Sequence, residues 1–213
     1  SIAHELRTPL TSIKTFTEML PNKYDNADFR EKISRFVPQE IERLNRVVND
    51  LLSYANPPAV QQARLPLKSL VDGVLVYFAD AISRQGIRLS IDFDDQLPVW
   101  VDRHQMKQVL INVLLNAVQA LEGQAAPVLR LSAELRETEL HLLVTDNGPG
   151  ISPEVLHKAF EPFYTTKTGG TGLGLFVSYQ LARRNDGEIR LESPPTGGAT
   201  VRLIFGFNPE VLS

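Results

Sequence analysis

Residues 167–182 read KTGGTGLGLFVSYQLA. Gly169, Gly170, Gly172 and Gly174 stand directly before an apolar-periodic segment that predicts a helix over about residues 173–185. Backbone N–H groups in such a loop, with the amino terminus of the helix it feeds, make a phosphate cradle. Lys167 adds a positive charge beside it. Two common nucleotide loops do not fit. A Walker A loop needs Gly-Lys-Ser/Thr, which is absent, and a Rossmann loop needs a strand directly ahead of its glycines. Here FEPFYTTKTGG (160–170) precedes them without a strand pattern. The long glycine-containing connection reads instead as a lid.

Upstream, LHLLVTDNGPG (140–150) predicts a strand that ends at Asp146, followed by Gly148, Pro149 and Gly150. The glycines let the backbone approach a flat ligand. A carboxylate at the strand end can accept a hydrogen bond from an exocyclic amine such as that of adenine. Taken alone, the same residues also make a plain turn. Further upstream, a helix is expected over 103–122. Met106, Val109, Leu110, Val113, Ala117 and Leu121 cluster on one side. Gln105, Gln108, Asn112, Asn116 and Gln119 fall within about 80° on another, at about 100° per residue. A solvated helix face normally carries Lys and Glu, and Asn is a poor helix former. Neutral amide oxygens are hard ligands suited to Mg²⁺. A polar surface stripe is the alternative.

Working outward, residues 67–208 alternate helical and extended patterns. A helix is expected at 67–84, strands at 87–93 (IRLSIDF) and 99–102 (VWVD), and a hairpin at 128–137 and 139–146. GEIRLES and GATVRLIFGF supply closing strands. The result is a mixed sheet covered by helices, an α+β sandwich of two layers. Trp100 is expected in its core, His141 at an outward strand position, His104 at a helix start and His157 on a short polar helix.

Residues 1–55 are helical in pattern, with helices at about 1–20 and 28–55 joined by the turn PNKYDNAD (21–28). The second helix carries Phe29, Ile33, Phe36, Ile41, Leu44, Val47, Val48, Leu51 and Leu52 at near-heptad spacing. A two-helix hairpin alone cannot cover that stripe, so a four-helix bundle formed on dimerisation is expected. The first helix is expected to continue upstream of Ser1. NPPAVQQARLP (56–66) reads as a linker.

Composition narrows the classes. The 213 residues are 43% apolar and 22% charged, with net charge -3. That balance offers no electrostatic case for nucleic acid or an anionic membrane. Apolar runs fall well short of the roughly 18 residues that span a bilayer. Cysteine is absent, which removes disulfides and thiolate metal sites and fits a cytoplasmic domain.

Five segments stand in one order: HELRTPL (4–10), QVLINVLLNAVQAL (108–121), DNGPGI (146–151), FEPFYTTK (160–167) and GGTGLGLF (169–176). In them the chain resembles the catalytic core of a sensor histidine kinase of the two-component type, with its H, N, G1, F and G2 boxes. The resemblance covers about residues 1–206 and is closest to the nitrogen-regulation type. It implies a dimerising phosphotransfer hairpin at 1–55, a linker at 56–66 and, at 67–208, an ATP-binding sandwich of the GHKL or Bergerat type.

The resemblance also implies roles. His4 is the phospho-acceptor, Glu5 its general base, and Thr8, one turn on, orients a water for dephosphorylating a response regulator. Asn116 holds Mg²⁺ with Asn112 in support. Asp146 holds the adenine amine, and Gly148 and Gly150 shape the base pocket. Lys167, Gly170, Thr171, Gly172, Leu173 and Gly174 meet the ATP phosphates, and Phe160 and Phe163 anchor the lid. The family often has a basic residue shortly after the second N-box Asn. Gln119 stands near that place, which makes Lys167 the expected substitute. Pro9 cannot donate to the Glu5 carbonyl and predicts a bend below the His4-Glu5 pair. The implied partners are a second copy of the chain and the receiver domain of a response regulator. A membrane is reached only through upstream segments. Gyrase-like and chaperone-like ATPase clamps share the ATP fold but lack the His4-Glu5 hairpin. A non-catalytic ATP-binding scaffold is the other alternative.

Overall fold

The computed structural model describes residues 2–55, 59–136, 138–167, 170–195 and 197–206, excluding the side chains of residues 2–5, 43, 46 and 49–55. The chain forms two compact units, one of residues 1–58 with 165–173 and one of residues 59–164 with 174–213.

The first unit contains the helices α1 (Ile2–Lys23) and α2 (Ala27–Ala55). The turn between them is tighter than PNKYDNAD suggests. Pro21 removes one N–H donor without ending α1. The stop comes at Asn26, whose N–H reaches Lys23 O (3.1 Å) and whose Oδ1 accepts from Phe29 N–H (3.0 Å), capping α2. Phe16 stacks on Phe36 at 6.0 Å and lies tilted on Phe29 at 6.1 Å, fixing how the helices face each other. Helix α1 runs unbroken through Pro9, which is buried. Leu10, Tyr24, Phe36, Ile41 and Val48 are exposed.

The second unit holds β1 (Gln62–Pro66), α3 (Leu67–Leu75), α4 (Ala79–Gln85), β2 (Arg88–Asp92), β3 (Pro98–Asp102), α5 (Arg103–Ala120), β4 (Val128–Arg136), β5 (Glu139–Asp146), α6 (Pro153–Lys158), α7 (Gly174–Arg184), β6 (Glu188–Glu192) and β7 (Ala199–Gly206). A five-stranded sheet runs in the order β2-β4-β5-β7-β6, parallel only between β2 and β4. Its register sorts the faces. Leu131 pairs with Val144 and Ala133 with Leu142 on the apolar side, whereas Arg130 pairs with Thr145 and Glu134 with His141 on the other. Helices α5 and α7 pack on the apolar side. The opposite side carries ion pairs such as Arg202–Glu192 and Arg190–Glu188. This is the expected two-layer sandwich.

Four local differences have physical causes. The stretch read as one helix over 67–84 is α3, a 3-10 turn at Val76–Phe78, and α4. The β-branched and aromatic run Val-Tyr-Phe is a weak helix former, and Val76 and Tyr77 turn out to solvent. Residues 62–66, read as linker, form β1, antiparallel to β3 with Leu65 opposite Val99. Trp100 is 50% exposed, not core, because it lies between the buried Val99 and Val101 and period two turns its ring outward. His141 does sit on the outward face, yet it is buried there. Glu139 Oε2 lies 2.8 Å from its Nε2, and Arg202 Nη1 lies 3.5 Å from its Nδ1.

Candidate active site

Helix α5 begins at a strong cap. Asp102 Oδ1 accepts from the N–H groups of His104 (2.9 Å) and Gln105 (3.0 Å), and Oδ2 accepts from Gln61 N–H (2.8 Å). Burial pushes this carboxyl's pKa up, but the three backbone donors more than offset that and hold it below its ordinary value. The apolar side of α5 is fully buried from Met106 to Val113. Asn112 and Asn116, one turn apart on the same face, are half-buried.

The amide stripe has a use that the sequence does not disclose. Asn112 Nδ2–H donates to Gly174 O (3.1 Å) and to Ser178 Oγ (3.3 Å). Gln105 Oε1 accepts from Asn185 Nδ2–H (3.0 Å), and Asn185 Oδ1 accepts from Asp102 N–H (2.6 Å). Two of the five amides therefore hold α7 antiparallel to α5, and the stripe is not a single ligand-facing surface. The Asn112 amide nitrogen is thus turned toward α7, and Oδ1 is the atom with a lone pair for a cation. Sequence reasoning missed Ser178, Asn185 and Asp102 as parts of this arrangement. The Asp102 cap was visible as an Asp directly before a helix. Ser178 and Asn185 carry no local signal, because their partners are 66 and 80 residues away.

Asp146 ends β5 and is buried, and its Oδ1 accepts from Gly148 N–H (2.9 Å). A Cβ at position 148 would lie 2.8 Å from that Oδ1 and 2.9 Å from Ala120 O, so any other residue would have to displace one of them. Gly150 follows at φ +81°. Ser193 Oγ accepts from Ile151 N–H (2.8 Å) and donates to Gly198 O (2.7 Å), which ties this loop to the β6–β7 connection. A cleft of about 680 Å³ opens between these two loops, lined by Gly148 to Pro153 on one side and by Ser193, Pro194, Pro195 and Gly197 on another.

The lid residues belong to the other compact unit. Lys167 is exposed, and its N–H donates to Thr165 Oγ1 (3.1 Å). Gly170 N–H donates to Lys167 O (3.1 Å) and Leu173 N–H to Thr171 Oγ1 (3.3 Å), while Gly172 has φ +65°. Gly169 lies outside the described residues. Just before the lid, Phe163 is held at φ +67°, a strained conformation for a bulky residue. Phe160 packs on Tyr179 with ring centroids 5.7 Å apart. His4, Glu5 and Thr8 fall within α1. Thr8 is exposed, and the side chains of His4 and Glu5 lie outside the described residues.

Both parts of the chain have known relatives. Residues 101–209 match the family described as histidine kinase-, DNA gyrase B- and HSP90-like ATPase, and residues 1–59 match the His kinase A phospho-acceptor domain. The chain belongs to that ATPase family and, with the phospho-acceptor domain ahead of it, is a histidine kinase catalytic core. It is 35% identical to the signal transduction histidine-protein kinase AtoS of Escherichia coli, over 98% of this chain and 34% of AtoS. It is 33% identical to sporulation kinase A of Bacillus subtilis, over 96% of this chain and 33% of that protein. This chain thus spans about a third of the length of these relatives. Among solved structures, the Acinetobacter baumannii histidine kinase AdeS aligns with TM-score 0.80 and 27% identity, covering 98% of this chain and all of that one. Histidine kinase ThkA, solved in complex with response regulator protein TrrA, aligns with TM-score 0.81 and 27% identity over 98% of this chain and 60% of that one. No helix among the described residues is long and apolar enough to cross a membrane.

Proposed function

We propose that this core autophosphorylates His4 from Mg²⁺-ATP and passes the phosphoryl group to an aspartate of a response regulator. The observation that carries the reading is the pairing of a phospho-acceptor domain at residues 1–59 with an ATPase fold whose buried Asp146 stands beside a glycine at which an added Cβ would crowd both that carboxylate and a backbone carbonyl. Bound ATP supplies the transferable γ-phosphoryl, and Mg²⁺ neutralises the charge on its phosphates. Asp146 accepts the adenine amine. Asn116 offers an amide oxygen to the metal, with Asn112 Oδ1 behind it. Among the described residues no group of three or more His, Asp or Glu could hold a metal. Amide oxygens together with phosphates and water would make an all-oxygen donor set of the hard kind that Mg²⁺ takes. Lys167, Thr171 and the glycines from Gly170 to Gly174 meet the phosphates.

His4 attacks as a neutral imidazole, forming the nitrogen–phosphorus bond as the bond to ADP breaks, and Glu5 takes the proton from the other ring nitrogen. Thr8 orients water in the reverse job of clearing phosphate from the regulator. The exposed Leu10, Phe36, Ile41 and Val48 support a homodimer through the hairpin. The ThkA complex supports a receiver domain as the second partner, and the cytoplasm is the compartment where the two would meet.

The deciding experiment is incubation with labelled ATP and Mg²⁺, scoring acid-labile, base-stable phosphate. Label on the wild type that disappears in His4→Gln is expected. ATP hydrolysis that persists in His4→Gln, with no label on either protein, would overturn the kinase reading in favour of an ATPase.

A further inference from the structure

Ser178 is completely buried in α7, a place where a serine has to be accounted for. Its Oγ donates to Gly174 O (2.8 Å), one turn back, and accepts from Asn112 Nδ2–H (3.3 Å) on α5. The same Asn112 amide also donates to Gly174 O (3.1 Å). Three polar groups thus close a triangle at the first turn of α7. A back-bonded serine usually weakens a helix. Here it presents its oxygen to the neighbouring helix.

The triangle joins two parts of one site. Asn116, the residue proposed to hold the metal, is one turn beyond Asn112 on α5. Gly174 is the first residue of α7, an 11-residue helix, and the first N–H groups of an α-helix have no partner within it. The far end of α7 is secured separately, by Asn185 Nδ2–H to Gln105 Oε1 (3.0 Å) and to Leu181 O (2.9 Å). Helix α7 is therefore tied to α5 at two points, and Ser178 belongs to the one at its amino terminus. Ser178 and Asn112 both reach Gly174 O, so the two side chains share the contact at the α7 amino terminus, one turn from Asn116.

We propose that Ser178 is a positioning residue: through Asn112 and Gly174 it sets the amino terminus of α7 for the phosphates of the bound nucleotide. This rests on the nucleotide reading above and gives a role to a residue that touches neither adenine nor metal. Its signature is selective. Loss of the hydroxyl should weaken ligands that carry phosphates and spare the base, because Asp146 and Gly148 lie on a different strand and loop.

The test compares ATP, ADP and adenosine binding by calorimetry with Mg²⁺ present, for the wild type and the Ser178→Ala, Asn112→Ala, doubly substituted and Asn185→Ala chains. Ser178→Ala should weaken ATP and ADP about fivefold or more, the worth of one lost hydrogen bond, with adenosine changed less than about twofold. The double variant should lose little beyond Asn112→Ala alone, since both act through one triangle. Asn185→Ala should lower the melting midpoint yet keep the wild-type ratio of ATP to adenosine affinity. Should Ser178→Ala fail to fold, Ser178→Cys, close in volume and a weak donor, carries the same expectation. Equal losses for ATP and adenosine, or no loss for either, overturn the proposal. A wild-type chain that binds none of the three ligands fails earlier and overturns the nucleotide reading with it.

Discussion

At Asp102 a single carboxylate ties three segments together, and its cost of removal can be stated with a sign. Its pKa in the folded chain is depressed, because the donors Gln61, Gln105 and His104 outweigh burial. The stability it contributes is therefore fully present above its ordinary value of 3.8 and is lost as pH falls from there through the lower folded-state value. Asp102→Asn should cost about 1 kcal/mol near neutral pH, because the amide oxygen still caps α5 while the amide N–H₂ faces the Gln61 N–H donor and leaves it without an acceptor. The gap to wild type should close in acid. Urea midpoints of both proteins between about pH 6 and about pH 3 check this. Gly148→Ala belongs to the same scale. The added Cβ would press on Asp146 Oδ1 and on the Ala120 carbonyl. Overpacking of this kind costs roughly 1–3 kcal/mol of stability, and because the displaced atom belongs to Asp146, ATP should bind at least about fivefold more weakly in a calorimetric titration.

Among the elements, helix ends give the cleanest expectation. Helix α4 stops at Gly86, at φ +64°, whose N–H reaches Ser83 O, and a Cβ there would meet nothing within 4 Å. Gly86→Ala should therefore cost only the left-handed backbone penalty, about 1 kcal/mol, measurable by urea unfolding. The elements also show what was legible in the sequence. The order of the five segments was readable because each carries its chemistry locally: Asn112 with Asn116, Asp146 with Gly148, or the glycines ahead of α7. The sheet was readable from period-two alternation, and the same rule applied to Val99, Trp100 and Val101 would have turned Trp100 outward. The amide stripe on α5 was visible as a stripe. Its division between α7 and the ligand was not, because periodicity gives the direction of a side chain and not its partner. His141 was hidden for a related reason: an outward position becomes buried when a long neighbour such as Arg202 lies over it. The strand β1 was masked by the prolines and polar residues just ahead of it, although Leu65 was the core residue it had to deliver.

At the scale of the whole molecule, the hairpin carries apolar surface that its own two helices leave uncovered. Ile41 is 46% exposed and Leu10 55%, on helices whose Phe29 and Val47 are buried. Charge placed on that surface opposes its burial against a second copy. In the proposed homodimer, Ile41→Lys should shift the mass in light scattering from dimer toward monomer at micromolar concentration, while ATP binding stays within about twofold of wild type.

The pairing of β1 with β3 also determines where the chain can be cut. Leu65 covers Val99, and Gln61 lends its N–H to Asp102, so residues just before α3 are structural members of the nucleotide-binding fold. A fragment beginning at Leu67 would leave β3 as a lone ribbon with a bare edge and helix α5 with a weakened start. A fragment beginning at Ala59 keeps both. The shorter fragment should be insoluble or molten on expression and the longer one should give a dispersed proton spectrum. Eight residues that look like tether decide whether this half of the molecule can exist by itself.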